Sequence, residues 1–300
     1  MLTKWAVPSL KSFADIATER AELARLTTFG IGGPADMLVE PRNLDELGRV
    51  MVTLKEACLP WRILGGGSNL LISDDGVRGA VIRLCGDFAA LEFDGARVTA
   101  GAAAPLARLV DECAKRGLSG VEGLVGIPGT VGGALVMNAG GRWGRIGNVV
   151  ESINVLSQSA LGGVRVLSRH DAGFAYRHSA LGSEVILGVA LALCPVDAAT
   201  VAETTRGYLD EKRRTQDLGS RSAGCAFKNP PIGPSAGALI DTAGMKGACV
   251  GGARVSSLHA NFIINAGSAT ARDVSALIKL IQAKVLEHSG VALELEVQLW

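Results

Sequence analysis

The sequence has few aromatic residues and no excess of charge of either sign. Only 4% of its 300 residues are aromatic, and 30 Lys and Arg are balanced by 29 Asp and Glu. A near-neutral chain has no overall field that would hold nucleic acid or an anionic membrane, and scarce aromatic residues disfavour base stacking. We therefore expect neither nucleic acid nor a membrane as a partner.

The chain also lacks the cysteine and histidine patterns of disulfide frameworks and metal sites. Its six cysteines are widely separated, form no C-x-x-C pair and have no histidine at metal-ligand spacing. The first 20 residues carry acids and bases throughout, which argues against a signal peptide. We expect free thiols, a cytoplasmic location and no metal.

Long apolar runs and the common nucleotide motifs are missing as well. The longest charge-free stretch, residues 123–141, holds seven glycines and Pro128, so we predict no membrane span. Residues 30–35 match G-x-G-x-x-A, but no strand precedes them and Pro34 stands where a helix would continue, so we reject a Rossmann fingerprint. Because the P-loop motif is absent, phosphoryl transfer loses its best support.

The chain does have alternating strand and helix patterns, with 48% hydrophobic residues and a mean hydropathy of +0.30. Asn43 precedes apolar residues at helical spacing, and Thr270 with Asp273 begins a later helix that Gly290 ends. Strict alternation predicts a strand over residues 291–299, with Glu294 and Glu296 on one face. This is an α+β pattern with a main boundary near residue 200. Further strands are predicted at residues 62–64, 77–84, 97–100, 149–156, 164–167 and 185–193, and a further helix at 201–216.

Glycine is abundant, at 39 residues. Eleven of these lie in residues 117–147, which predicts a long loop region rather than regular helix or strand. Residues 65–70 and 126–134 could each present a bank of backbone N–H groups to a phosphate. Either segment alone is equally compatible with tight turns. The two together favour a bound dinucleotide.

Six segments carry a specific pattern in order and spacing. They are TFGIGGPA (28–35), LGGGSNL (64–70), GIPGTVGGA (126–134), YRHS (176–179), SAGCAFKNP (222–230) and HANFIIN (259–265). Together they resemble the UDP-N-acetylenolpyruvoylglucosamine reductases, flavin enzymes of bacterial cell-wall synthesis, in their compact subtype. The resemblance implies two α+β subdomains of the PCMH/vanillyl-alcohol-oxidase type that bind FAD non-covalently, at residues 1–90 and 91–202. A C-terminal α+β substrate domain would follow at 203–300.

The resemblance also implies a reaction. NADPH reduces FAD, and hydride then reaches the enolpyruvyl double bond of UDP-N-acetylglucosamine enolpyruvate to give UDP-N-acetylmuramate. Charge develops on the neighbouring carbon, which must be stabilised and protonated. By resemblance, Arg177 binds the substrate carboxylate and stabilises the enolate, Glu296 assists as a protonated group, and Cys225 donates the proton. Without the surrounding motifs, a surface salt bridge and a solvated strand face would be the better interpretations of Arg177 and Glu296.

Cys225 departs from the family, in which the usual proton donor is serine. A thiol is a stronger acid than a hydroxyl and is mostly protonated at neutral pH, so the exchange is chemically reasonable. Arg177 or Lys228 could, however, depress the pKa and leave a thiolate. The alternative role for Cys225 is that of a small buried apolar residue.

The resemblance assigns binding residues for two ligands. The substrate, a UDP-sugar enolpyruvyl ether, is expected at Tyr176, Lys228 and Asn229. No second chain is implied, so we expect a monomer. FAD is expected at Gly65, Gly66, Gly67, Ser68, Asn69, Leu70, Gly126, Ile127, Pro128, Gly129, Thr130, Gly132, Gly133, Ala134, Asn138 and Ala139.

Some features stay open at this point. Residues 212–214 could be a solvated helix end or could meet the UDP pyrophosphate, and His259 is expected to be structural. Arg142 and Trp143 stand where the family commonly has Ala-Tyr-Gly, and Asp217 stands where proline is usual. Two other functions remain: a flavin-dependent alcohol oxidase or dehydrogenase of the same fold, and a non-catalytic nucleotide-sugar binding protein.

Overall fold

A computed structural model describes residues 13–157 and 163–300, in which strands and helices alternate along the chain. The helices are α1 (Leu44–Glu56), α2 (Leu106–Lys115), α3 (Val131–Val136), α4 (Ala198–Thr215), α5 (Ala236–Thr242) and α6 (Ala271–Ser289). The strands are β1 (Ala17–Glu19), β2 (Ala35–Val39), β3 (Trp61–Ile63), β4 (Leu70–Leu71), β5 (Val77–Ile82), β6 (Leu91–Asp94), β7 (Arg97–Gly101), β8 (Leu118–Ser119), β9 (Gly140–Gly141), β10 (Gly144–Arg145), β11 (Val150–Leu156), β12 (Val164–Ser168), β13 (Val185–Ala192), β14 (Cys194–Pro195), β15 (Ser222–Cys225), β16 (Cys249–Val250), β17 (Ala253–Val255), β18 (Phe262–Asn265) and β19 (Gln298–Leu299).

The first sheet has the order β1-β2-β5-β3 and pairs β5 in parallel with both β2 and β3. Helix α1 carries the chain from β2 to β3, so that these two strands run in the same direction on either side of β5. Asn43 caps α1 by accepting the Glu46 N–H at 2.9 Å, and Leu47, Val50 and Leu54 of the apolar stripe are buried, whereas Leu44 is exposed. The prediction of this helix from its cap and spacing is confirmed.

The second sheet is antiparallel, in the order β12-β11-β13-β7-β6. Its core includes side chains of α2, α3 and the strands. The expectation of loop without regular helix in residues 117–147 was wrong, because α3 lies there. Thr130 caps α3 by accepting the Gly133 N–H, and a Cβ on Gly132 would lie 3.0 Å from Ala102 O, so this glycine lets the helix pack closely.

The third sheet, β15-β18-β17-β16, packs with α5 and α6. The predicted ends of α6 are confirmed: Thr270 and Asp273 form a capping box, and Gly290 has a φ of +71°. The predicted strand over residues 291–299 is reduced to β19, which pairs in parallel with β4. The preceding residues make single bonds instead, since the N–H groups of Glu296 and Val297 both donate to Ala226 O. Glu294 is therefore solvent-exposed, whereas Glu296 is largely buried.

The third sheet is joined to the first by shared core and by polar contacts. Phe29, Ile31 and Leu71 pack in the same apolar cluster as α5 and α6. Asp74 accepts two N–H groups at the start of α6, from residues 271 and 272, at 2.8 and 3.1 Å. Helix α4 packs instead against α2. In the part of the chain described here, no helix is both long and apolar enough to span a membrane.

Candidate active site

Two glycine-rich loops meet at the centre of the molecule. The first, residues 65–69, joins β3 to β4, and the second, residues 126–130, leads into α3. A Cβ on Gly66 would lie 2.5 Å from Gly129 Cα, and Ser68 Oγ donates to Pro128 O at 3.0 Å. The close approach of the two backbones therefore requires glycine at this point. We call these two loops the glycine cleft.

The glycine cleft presents backbone N–H groups that the fold itself does not use. Within residues 13–157 and 163–300, the N–H groups of residues 65–69 donate to no protein acceptor, and neither do those of Gly126 and Gly129. Gly66 and Pro128 are exposed, so the cleft is open to solvent. Convergent amide donors without intervening side chains suit a phosphate-containing dinucleotide. The chemistry of the cleft is therefore compatible with FAD, and the assignment of individual residues to the cofactor stays a prediction.

Other residues predicted to bind the cofactor stabilise the backbone around the cleft. Gly67 has a φ of +61°, and a Cβ there would lie 2.0 Å from Leu26 O, so this glycine permits a turn. Asn138 is buried, donates from Nδ2 to Ala175 O at 2.8 Å and accepts the Gly147 N–H at 3.1 Å. Its side chain therefore holds the neighbouring turn rather than facing the cleft. Gly132, Ala134 and Ala139 are also buried, whereas Gly133 is exposed and Ile127, Thr130 and Leu70 are half-buried.

Arg177 lies at the tip of a tight turn over residues 175–178, closed by Ala175 N–H to His178 O at 3.0 Å. Its φ is +53°, a conformation that non-glycine residues rarely adopt and that is concentrated at functional sites. Nη1 donates to Gly140 O at 2.7 Å, which aims the guanidinium inward. The turn thus places a largely buried cation, where a surface salt bridge was the alternative.

Arg177 and Glu296 form an ion pair, with 2.7 Å between Nε and Oε1. The contact does not meet hydrogen-bond geometry, and among the described residues the buried Nε has no hydrogen-bond partner. Burial raises the pKa of Glu296 above its usual range, and the opposing effect of Arg177 is smaller. A cation beside a carboxyl whose pKa is raised suits the binding of an anionic group.

Cys225 ends β15, next to this pair. Glu296 N–H donates to the carbonyl of the adjacent Ala226 at 2.9 Å, which brings the two segments together. Burial, and then the charge of Glu296, raise the pKa of the Cys225 thiol to about 12, whereas Arg177 lowers it less. The lowering of this pKa that Arg177 or Lys228 could have caused is therefore outweighed by burial. The thiol stays protonated at neutral pH.

The three residues predicted to bind substrate lie at the rim of this cluster. Tyr176 is 42% exposed, and its hydroxyl accepts the Asn229 N–H at 3.2 Å. Asn229 Oδ1 accepts the Ala236 N–H at 3.0 Å, and Lys228 pairs with Glu294 at 2.6 Å. The structure thus brings all three beside Arg177. The lysine is held by an exposed carboxylate that an anionic ligand could replace.

Lys212 has a role that the sequence left open. It is 8% exposed, and its Nζ donates to Val125 O at 2.6 Å and Gly123 O at 3.2 Å, just before the second loop of the cleft. Burial, with a contribution from the charge of Arg177, lowers the Lys212 pKa to about 8. Lys212 is thus no solvated helix end, whereas Arg213 and Arg214 are exposed. Helical spacing alone could not separate these three neighbours.

Two sequence-family profiles match the chain. The FAD binding domain profile covers residues 35–166, and the profile of the UDP-N-acetylenolpyruvoylglucosamine reductase C-terminal domain covers residues 216–300. Both agree with the predicted fold class, an FAD-binding α+β unit followed by a C-terminal α+β domain. The second profile contains Cys225 and Glu296, and Arg177 lies between the two matched regions.

Relatives match over nearly the whole length. UDP-N-acetylenolpyruvoylglucosamine reductase 2 of Symbiobacterium thermophilum is 46% identical over 284 residues, covering 94% of this chain and 91% of the relative. The Synechococcus sp. reductase is 42% identical over 299 residues, covering 97% and 96%. The crystal structure of the Thermus caldophilus enzyme superposes with a TM-score of 0.83 at 40% identity, covering 94% of this chain and 98% of that one. The predicted resemblance is confirmed, and the chain belongs to the UDP-N-acetylenolpyruvoylglucosamine reductase family.

Proposed function

We propose that Arg177, Cys225 and Glu296 carry out the reduction for which this family is named. The protein reduces the enolpyruvyl double bond of UDP-N-acetylglucosamine enolpyruvate to give UDP-N-acetylmuramate in peptidoglycan precursor synthesis. It uses FAD as cofactor and NADPH as reductant. The observation that carries the proposed roles is the convergence of these three side chains beside the glycine cleft.

The glycine cleft holds the cofactor through backbone donors. Residues 65–69, with Gly126 and Gly129, offer N–H groups that no described protein group accepts. FAD, when bound, supplies the hydride that originates from NADPH. The neighbouring glycines keep side chains out of the space between the loops, as the short distance from Gly66 to Gly129 requires.

Arg177 binds the carboxylate of the enolpyruvyl group. Its planar fork of donors, in which Nε is held only by the ion pair with Glu296, suits a carboxylate, whose negative charge grows as enolate character develops during reduction. Glu296, with its raised pKa, supports the same charge as a protonated hydrogen-bond donor. Both residues act most strongly when charge has developed, which is the condition for lowering the barrier.

Cys225 gives its proton to the carbon next to the one that receives hydride. The thiol has a pKa of about 12 in its buried position, so it carries a proton throughout the neutral range. After the transfer, the thiolate takes a proton back from solvent for the next turnover. The nearby Arg177 stabilises this transient charge.

Tyr176, Lys228 and Asn229 bind the UDP-sugar at the rim. When the substrate binds, Lys228 exchanges its pairing with the exposed Glu294 carboxylate for one with a phosphate. The hydrogen bond between the Asn229 N–H and the Tyr176 hydroxyl orders the edge of the site. We propose a monomer with domains at 1–90, 91–202 and 203–300. All six cysteines are free thiols, which supports a cytoplasmic location.

Spectroscopy of the purified protein tests this function directly. We expect a flavin absorption spectrum that NADPH bleaches and that the enolpyruvyl UDP-sugar restores without oxygen. Bleaching by an alcohol with oxygen consumption would instead indicate an alcohol oxidase. A folded protein that binds the UDP-sugar but takes up no FAD would be a non-catalytic binding protein.

A further inference from the structure

Asn261 is a buried polar residue that contacts the backbone just after the proposed proton donor, Cys225. It is 3% exposed and precedes β18. Its side chain bonds both polar groups of the Phe227 backbone: Oδ1 accepts the N–H at 2.9 Å, and Nδ2 donates to the carbonyl at 2.8 Å. Its own carbonyl accepts the Ala226 N–H at 2.8 Å. Asn261 thus fixes the two residues that follow Cys225.

The β-ladder of the strand that bears Cys225 is short and irregular. β15 pairs with β18 only at Ser222 and Cys225, with a register shift between these two positions. Gly224, within this bulge, has a φ of +72°. A bulge turns the side chain that follows it, so the ladder alone does not determine where the thiol points. The direction of Cys225 therefore depends on what anchors its C-terminal side.

That anchor also serves Glu296. Ala226 O accepts the N–H groups of Glu296 at 2.9 Å and Val297 at 3.3 Å, while Ala226 N–H is held by Asn261. The thiol and the carboxyl of the site are therefore attached to one two-residue segment, 226–227. The Asn261 side chain lies near enough to the Cys225 sulfur to favour the ionised thiol, against the larger effect of burial.

Asn261 is itself held in one orientation. His259 Nδ1 accepts the Asn261 N–H at 3.2 Å, and His259 packs against Phe262 with ring centroids 4.8 Å apart. Both polar ends of the Asn261 side chain are occupied by the Phe227 backbone. A side chain with all its polar atoms committed within a buried site is rigid.

We propose that Asn261 is a positioning residue for proton transfer, which aims the Cys225 thiol at the substrate by anchoring residues 226 and 227. The proposal rests on the proposed role of Cys225. It assigns Asn261 no contact with substrate or cofactor. It predicts that loss of the Asn261 amide slows the oxidative half-reaction, in which the substrate is reduced and protonated, and leaves reduction of the flavin by NADPH unchanged.

The test compares Asn261→Ala with Asn265→Ala in the full-length holoenzyme. Asn265 is a matched control because it is equally buried, lies at the other end of β18 and bonds Phe29 O, Gly267 N–H and Ala269 N–H, away from Cys225. Stopped-flow absorbance follows flavin bleaching by NADPH and recolouring by the enolpyruvyl UDP-sugar. We expect Asn261→Ala to slow recolouring about 10- to 100-fold relative to Asn265→Ala, with equal bleaching rates and unchanged substrate affinity.

A second comparison separates positioning from general damage. In a Cys225→Ala background the thiol is gone, so Asn261→Ala should slow recolouring much less than it does in the parent, the remaining loss being the part transmitted to Glu296 through Ala226, although it should lower the melting temperature as it does in the parent. The proposal would be overturned if the rate losses of Cys225→Ala and Asn261→Ala multiplied in the double variant. It would also be overturned if Asn265→Ala slowed recolouring as much as Asn261→Ala does. Asn261→Asp keeps the acceptor but loses the donor, and it serves as the variant if Asn261→Ala does not fold. Full turnover in Cys225→Ala alone would instead refute the proposed role of Cys225.

Discussion

The glycine cleft and the cluster of Arg177, Cys225 and Glu296 adjoin each other but are built in different ways. The cleft uses backbone N–H groups from two loops that lie close together in space. Its shape depends on glycines, which have no side chains. The cluster uses three side chains that are far apart in the chain, and burial shifts the pKa of both Cys225 and Glu296. FAD binding in the cleft should therefore depend little on pH but weaken when a larger side chain replaces a glycine. Reduction of the substrate at the cluster should instead be sensitive to the identity and protonation state of the three side chains.

The largest expected effect comes from removing the proton donor. Cys225→Ala should slow recolouring of the reduced flavin by substrate about 10²- to 10⁴-fold, the usual contribution of a general acid. Bleaching by NADPH should be unchanged, because the cleft does not depend on the thiol. Stopped-flow absorbance of both half-reactions measures this, with the exposed Cys249→Ala as control. Equal slowing of both half-reactions would mean that the two regions are not separable.

FAD binding in the cleft should be lost when a larger side chain occupies it, because no side-chain functional group is needed there. Gly66→Val places a branched side chain where a single Cβ already lies 2.5 Å from Gly129 Cα, so the loops must separate. We expect FAD affinity to fall about 100-fold, or about 3 kcal/mol. Fluorescence titration of the apoprotein with FAD measures the affinity.

Gly48→Ala is the matched control for that experiment. Gly48 lies in α1 with no atom within 4 Å of an added Cβ, and alanine there should stabilise the helix by about 0.5–1 kcal/mol without changing FAD affinity. If Gly66→Val binds FAD as tightly as Gly48→Ala does, the two loops do not jointly form the binding surface.

The cleft was accessible to sequence analysis because glycine identity and backbone shape are directly linked. Residues 65–70 and 126–134 predicted two banks of amide donors, and the structure places them side by side. The same reasoning failed for α3, since a capping Thr130 and contact with Ala102 compensate for the glycines in that helix. Local composition therefore predicted the loops but not the tertiary contacts that order the residues after them.

The cluster was much harder to predict. Spacing alone placed Arg177 on a surface and Glu296 on a solvated strand, and only the family pattern assigned them to one site. The alternation of residues 291–299 predicted a full strand, but single bonds to Ala226 replace the ladder and bury Glu296. The anchoring role of Asn261 gives no local signal, because the bulge that makes it necessary is a property of the pairing of β15 with β18.

Glu296 offers a test of the electrostatics of the cluster. Its pKa is raised, so as the pH increases through that pKa it loses the proton with which it supports the developing enolate. Glu296→Gln keeps a hydrogen-bond donor of the same size but cannot ionise. We expect recolouring to be about 10-fold slower at low pH and to lack the decline with rising pH that the parent shows. Rate profiles from pH 5 to 9 measure this, and an unchanged decline would assign the titration to another group.

Lys212 connects the two regions, and its effect on stability should be the smallest of the four. Its Nζ bonds the carbonyls of Gly123 and Val125 beside the cleft, while burial and Arg177 lower its pKa from 10.5 to about 8. Between these values the unfolded chain binds a proton that the folded protein lacks, so stability should rise with pH by about 1 kcal/mol per unit. Lys212→Met removes this titration. The free energy of unfolding of the parent, minus that of Lys212→Met, should therefore increase from pH 8 to pH 9. Chemical denaturation measures the difference, with the exposed Lys279→Met as control. A difference that stays constant with pH would mean that Lys212 keeps its proton in the folded protein. The charge of Arg177 would then not lower the pKa of this residue beside the cleft.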